Sequence, residues 1–131
     1  MLNEFKKHIE NHFPDLRQKP FLLACSGGLD SVVLTQLCAE IDLDFALAHC
    51  NFRLRGEASD SDEQFVRELA FDLNKLFYVT HFDTIGYINK NKVSLQVGAR
   101  ALRYRWFAEI MKENNIEVLV TGHQADDNLE T

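Results

Sequence analysis

The sequence predicts an α/β domain with a doubly wound parallel sheet and flanking helices, and three observations predict it. Four short runs, Phe21 to Cys25, Phe45 to Cys50, Phe77 to Phe82 and Val118 to Thr121, are nearly continuous in apolar residues, as strands buried on both faces are. Segments of helical period separate them. A Ser-Gly-Gly turn follows the first run, where a strand would pass into a helix. Strand alternating with helix implies parallel strands joined by right-handed crossovers.

The elements follow in chain order. Leu2, Phe5, Ile9, Phe13 and Leu16 recur at helical spacing until Gln18-Lys19-Pro20 breaks the pattern, which predicts a first amphipathic helix that covers the sheet. Val32 to Glu40 is the helix after the first strand. Ser61 to Asn74 places Phe65, Leu69 and Leu73 on one face behind a Ser61-x-x-Gln64 capping box. Ser94 to Glu113 aligns Leu95, Ala99, Leu102, Trp106 and Ile110. The connection from Thr84 to Val93, with Gly86 and an Asn-Lys-Asn-Lys run, reads as a mobile loop or lid. Trp106 and the phenylalanines at helix and strand spacing are assigned to the core.

With 131 residues, 46% of them hydrophobic, the chain suits one domain over 1–131. No apolar run approaches the roughly 20 residues that span a bilayer, and the start lacks the basic-then-apolar pattern of a signal peptide. The expectation is a soluble cytoplasmic protein with no membrane partner. Cys25, Cys38 and Cys50 are odd in number and never spaced C-x-x-C, so they read as reduced core thiols. A net charge of −6 leaves any nucleic-acid contact to local basic clusters or to protein outside this chain. Asp126 to Thr131 reads as the opening of a helix without a stop signal, and the chain therefore as a fragment.

The chemistry concentrates in Ser26-Gly27-Gly28-Leu29-Asp30-Ser31. Two glycines let the backbone turn sharply and approach a ligand, and the free N–H groups of the following helix point at an anion, for which phosphate is the natural occupant. Ser26 and Ser31 add hydroxyls. Asp30 would repel phosphate unless a cation such as Mg²⁺ stands between them, which points to metal-bound ATP. No Gly-Lys-Ser/Thr follows, so this is not the Walker pattern. The alternative is an ordinary strand-to-helix turn, but five specified positions recur by chance in a chain this long on the order of 10⁻⁴ times.

Ser-Gly-Gly-x-Asp-Ser after the first strand resembles the loop of the PP-loop ATP pyrophosphatases, which split ATP between its α and β phosphates. Ala48-His49-Cys50-Asn51-Phe52-Arg53-Leu54-Arg55-Gly56-Glu57, with Ser59 and Asp62, is similar to a segment of the tRNA(Ile)-lysidine synthase family. So are Ala99-Arg100-Ala101-Leu102-Arg103-Tyr104 and Thr121-Gly122-His123-Gln124-Ala125-Asp126-Asp127-Asn128-Leu129-Glu130-Thr131. The resemblance implies an adenine nucleotide alpha hydrolase-like fold and the N-terminal part of a carbon–nitrogen ligase. Its substrates would be ATP with Mg²⁺, tRNA(Ile) and free lysine, and a homodimer is compatible with it. Lysine would be joined to C2 of the wobble cytidine through an adenylated tRNA. The alternatives are a tRNA thiolase of the same superfamily and an ATP-binding module without chemistry.

Ser26 to Ser31, His49 to Arg55 and His123 to Asp127 each begin where a predicted strand ends, and in an open parallel sheet those ends share one edge. The nucleotide-binding candidates are Ser26, Gly27, Gly28, Leu29, Asp30, Ser31, His49, Gly122 and His123. Asp30, Asp126 and Asp127 are the catalytic candidates and Asp30 with Asp127 the metal ligands; which of Asp126 and Asp127 is base or ligand stays open. On a helix opening at Gln124, Asp126, Asp127 and Glu130 would crowd and favour a cation, or form a solvated acidic first turn. His49 and His123 are either chemical or hydrogen-bonded structural residues. Arg53, Arg55, Arg100 and Arg103 are candidate contacts to tRNA or nucleotide, or plain surface charges; Arg100 and Arg103 share a helix face and so a common target.

Overall fold

Alternation along β1 (Phe21–Ala24) decides the architecture. Phe21 and Leu23 pack into one apolar cluster and Leu22 into another, all three with no exposed surface, so this strand needs cover on both sides. The computed structural model describes residues 1–121 and the backbone of 129–130, and it places β1 inside a sheet ordered β3-β2-β1-β4-β5. Here β2 is Phe45–Asn51, β3 Phe77–His81, β4 Val118–Thr121 and β5 Leu129–Glu130. The first four strands are parallel; β5 is antiparallel to β4. Ala24 lies opposite both Ala48 and Thr121, so β1 and β4 reach the carboxyl edge together while β2 runs on to Asn51.

One face is covered by α1 (Leu2–His12), a 3₁₀ turn at Pro14–Arg17, α2 (Leu29–Glu40) and α3 (Glu57–Asp72). They bury Ile9, Leu16, Cys38, Val66, Leu69 and Ala70 against Phe21, Leu23, Phe45, Leu47, Val118 and Val120. The opposite face belongs to α5 (Leu95–Glu113), whose Phe107 and Ile110 pack on Leu22, Ala46, Ala48 and Leu119. Helices on both faces of a parallel sheet make it doubly wound, as expected. α4 (Thr84–Asn91) lies on α5 so closely that a Cβ on Gly98 would come 2.4 Å from Ile88 Cγ2; only glycine fits that crossing. Among the described residues no helix is long and apolar enough to cross a membrane.

Several expectations need correction. The first helix stops at His12, because Pro14 lacks the N–H a continuing helix would use, and the 3₁₀ turn delivers Leu16 to the core. Gly56, at φ +56°, turns the chain into α3 four residues before Ser61, so Ser61 sits inside the helix and caps nothing. The face that α3 buries is consequently Ser59, Val66, Leu69 and Ala70, with Phe65 exposed. The supposed lid over Thr84 to Val93 is α4, its start capped by Asp83, whose carboxylate accepts the Gly86 N–H at 3.1 Å. Trp106 is only half-buried but packs against the α5-side cluster, whereas Phe71 is 83% exposed and not core. Leu129–Glu130 pairs with β4 instead of continuing a helix, which supplies backbone partners to an otherwise open sheet edge.

Candidate nucleotide-binding site

At the carboxyl end of β1 the chain bends through Gly27 at φ +93°, a conformation that L side chains rarely adopt. Gly28 then opens α2 in extended backbone, and no side chain caps the helix. The turn is held by its own hydroxyls. Ser26 Oγ accepts the Gly28 N–H at 3.2 Å, and Ser31 Oγ donates to the Gly28 carbonyl at 3.0 Å and lies 3.2 Å from Ser26 Oγ. The uncapped first N–H groups and the helix dipole make this end of α2 a place for negative charge. Ser31 is buried, whereas Leu29 and Asp30 are exposed. A Cβ on Gly27 would meet Asp62 Cβ at 3.4 Å and Val66 Cγ2 at 3.5 Å, ordinary distances; the obstacle to substitution there is φ, not space.

His49, 3% exposed, projects from β2 and is bonded through Nδ1 to the Cys25 carbonyl at 2.8 Å. A carbonyl only accepts, so Nδ1 carries a proton and the ring ties β2 to the residue just before the glycine turn. Its Nε2 is buried with no hydrogen-bond partner. Two residues on, Asn51 is buried and donates to Asp60 Oδ1 and Glu63 Oε1, both at 3.0 Å, while its Oδ1 accepts the Arg53 N–H at 2.9 Å. These bonds hold Arg53 at φ +56° and aim the following loop. Glu63 also accepts from His81 Nε2 at 2.5 Å and Arg67 at 3.2 Å. Burial pushes its pKa up, but the hydrogen bonds from Asn51, His81 and Arg67 outweigh that and leave it below the ordinary value.

Two cavities open beside the turn. The larger, about 320 Å³, lies on the α5 side, where Ala24, Ala48 and Cys50 leave room that the bulkier Leu22 and Leu119 deny deeper in the sheet; Ser26, Arg103 and Thr121 also line it. The smaller, about 150 Å³, lies on the α3 side between Ser26, His49, Asn51, Arg55 and Asp62. Arg103 is half-buried, with an Nε that has no hydrogen-bond partner. Cys50, on the cavity wall, is pushed up to about 12 by burial against the opposing charge of Arg103, so its thiol stays protonated at neutral pH.

The structure brings Ser26, Ser31, His49, Arg55 and Arg103 onto the walls of these cavities, with Gly27 and Gly28 next to Ser26 in the turn. Arg55 is ion-paired with Asp62, and Arg53 is exposed. The guanidiniums of Arg100 and Arg103 both lie over Tyr104, 4.6 and 5.0 Å from its ring centre. Gly122, His123, Asp126 and Asp127 lie outside the described residues. The crowding of Asp126, Asp127 and Glu130 expected on a helix from Gln124 likewise lies outside the described side chains. Among the described residues no three His, Cys, Asp or Glu side chains gather to hold a metal. Sequence reasoning brought Cys50 and Phe52 to this edge only as part of the His49 to Arg55 segment, and named neither Phe107 nor Thr121 as a site residue. Asn51 carried a signal, an amide at the end of an apolar run.

A family model described as PP-loop domain matches residues 1–131. The chain belongs to the PP-loop family. Among curated proteins this PP-loop domain is 44% identical over 110 residues to a tRNA(Ile)-lysidine synthase of Porphyromonas gingivalis, covering 84% of this chain and 24% of that protein. It is 43% identical over 136 residues to one of Chlorobaculum tepidum, covering 96% of this chain and 40% of that protein. The domain thus spans about a quarter to two fifths of these relatives. Among solved structures, NMN synthetase from Francisella tularensis matches with TM-score 0.72 and 18% identity, over 95% of this chain and 56% of that one. An NH3-dependent NAD synthetase from Campylobacter jejuni matches with TM-score 0.65 and 16% identity, over 94% and 53%. At such identity these two support the fold alone.

Proposed function

We propose that the protein carrying this domain joins lysine to C2 of the wobble cytidine of tRNA(Ile), after using ATP to adenylate that position. The observation that carries the reading is the uncapped glycine turn at the sheet's carboxyl edge, beside a cavity walled by Arg103, in a chain similar along most of its length to proteins of that name. The turn fits a pyrophosphate: Gly27 and Gly28 let the backbone close on it, and the first amides of α2 face its charge. Mg²⁺, held by Asp30 and Asp127, would neutralise part of that charge; of the two, Asp30 is exposed in the first turn of α2, as a ligand there must be.

The cytosine C2 oxygen attacks the α-phosphorus and the α–β bond breaks, releasing pyrophosphate onto the turn. The ε-amine of lysine then attacks C2, and the oxygen leaves with AMP. Lysine, with an ordinary pKa near 10.4, must lose a proton first, and Asp126 or Asp127 takes it. His49 binds no phosphate in this scheme. Its Nδ1 proton secures the Cys25 carbonyl and so the placement of Ser26, while Nε2 is left as a buried acceptor.

The test is pyrophosphate release by the full-length protein with ATP, tRNA(Ile) and lysine. Asp30→Ala and Asp127→Ala are each expected to abolish release with the fold intact; wild-type rates in either would remove that residue from the site. Mass spectrometry of the tRNA must show addition of lysine less water. A sulfur-for-oxygen mass change would point to a thiolase instead, and ATP binding without any product to a module without chemistry.

A further inference from the structure

Charge in this chain is segregated. Residues 84–108 carry five Lys or Arg and no Asp or Glu, whereas the other 106 residues carry nine and twenty. That stretch is α4 with most of α5, packed on each other through Gly98. Lys90, Lys92, Arg100 and Arg105 are exposed on it. Two tyrosines interleave with these cations: Arg100 and Arg103 lie over Tyr104, and Arg105 lies 5.9 Å from the ring centre of Tyr87. A guanidinium resting on a ring is partly ordered before anything binds, and it presents a flat cationic face.

Resting on the function proposed above, we infer that the α4–α5 face docks the single-stranded loop of the RNA substrate. Lys90, Lys92 and Arg105 meet its phosphates, and the ring-supported guanidiniums stack on its bases. Position favours this occupant. The Thr84 hydroxyl, at the start of α4, donates to the Phe52 carbonyl at 2.8 Å and so fixes the face to the loop that leaves β2. Arg103 belongs both to this face and to the wall of the 320 Å³ cavity, so a strand lying on the helices can lower one base into the site. The remainder of this chain is net acidic and so favours a polyanion less than this face does.

The test uses the full-length protein with Lys90→Gln, Lys92→Gln and Arg105→Gln combined, and a matched triple, Lys6→Gln, Lys7→Gln and Lys19→Gln, that removes equal charge from exposed positions outside α4 and α5. Affinity for tRNA(Ile) and for its isolated anticodon stem-loop is measured against monovalent salt. Loss of three phosphate contacts should weaken the first variant about a hundredfold at about 0.1 M salt and flatten the log–log salt slope by about 2. ATP affinity should be unchanged, and the matched triple should stay within about twofold of wild type. Equal losses in both triples, or none in the first, would overturn the assignment even if wild type modifies tRNA(Ile). If wild type instead binds single-stranded RNA through this face but never modifies tRNA(Ile), the surface stands and the proposed reaction falls. Binding to anionic phosphatidylserine vesicles that the first triple abolishes, with RNA affinity intact, would assign the face to membrane and overturn it.

Discussion

The N-termini of α2 and α5 are built in opposite ways. At α5, Ser94 folds its hydroxyl back to accept the Val97 N–H at 3.2 Å, so that end meets its own needs. At α2, Gly28 has no side chain to do so, and the nearby hydroxyls of Ser26 and Ser31 are spent on shaping the turn. A missing cap costs about 1 kcal/mol of local stability. Among the described helices α1 and α3 also start without a side-chain cap, whereas α4 and α5 are capped; of the uncapped starts, that of α2 meets the cavity beside β1 and β4. A side-chain cap and a bound anion would draw on the same amides.

Substitutions can break this contrast in graded steps. Gly27→Val should do most, since a β-branched residue at φ +93° cannot hold the turn; ATP affinity measured by calorimetry should fall at least a hundredfold with the melting temperature little changed. Ser26→Ala removes the acceptor of the Gly28 N–H and should weaken ATP about tenfold, roughly one hydrogen bond. Ser94→Ala should show the reverse profile, about 1 kcal/mol lost in denaturant unfolding with ATP affinity untouched. A fall in ATP affinity there would erase the distinction between the two helix ends.

The smallest effect concerns Glu63, which holds Asn51 and with it the loop after β2. Its folded pKa lies below the unfolded value, so its contribution is complete above the ordinary glutamate range of about 4.3 and is lost as pH falls through the folded value. Glu63→Gln should therefore flatten the acid limb of the stability curve below about pH 4 and change little at neutrality. An unchanged acid limb would show that the Asn51 cluster contributes no linkage.

Much of the fold was legible because its signals are local. Continuous apolar runs mark strands that are buried on both faces, and Phe21, Leu22 and Leu23 are fully buried as their pattern demands. Pairing Arg100 with Arg103 on one helix face also needed only helical geometry. α4 was missed because its run of Asn and Lys has weak apolar period and its helix depends on Asp83 as cap and on Gly98 of another helix. The start of α3 was missed because a Ser-x-x-Gln signature competed with Gly56, and the glycine's backbone prevailed.

By itself the sequence determined the parallel α/β class, the anion-ready turn and the family, since each follows from neighbours a few positions apart. Only the tertiary structure decided which nitrogen of His49 holds a proton, that Asn51 joins Asp60 and Glu63, and that Ala24 and Ala48 leave a cavity against Arg103. These facts rest on strands and helices meeting across many residues of chain. Their partners are chosen by packing, which no local spacing encodes.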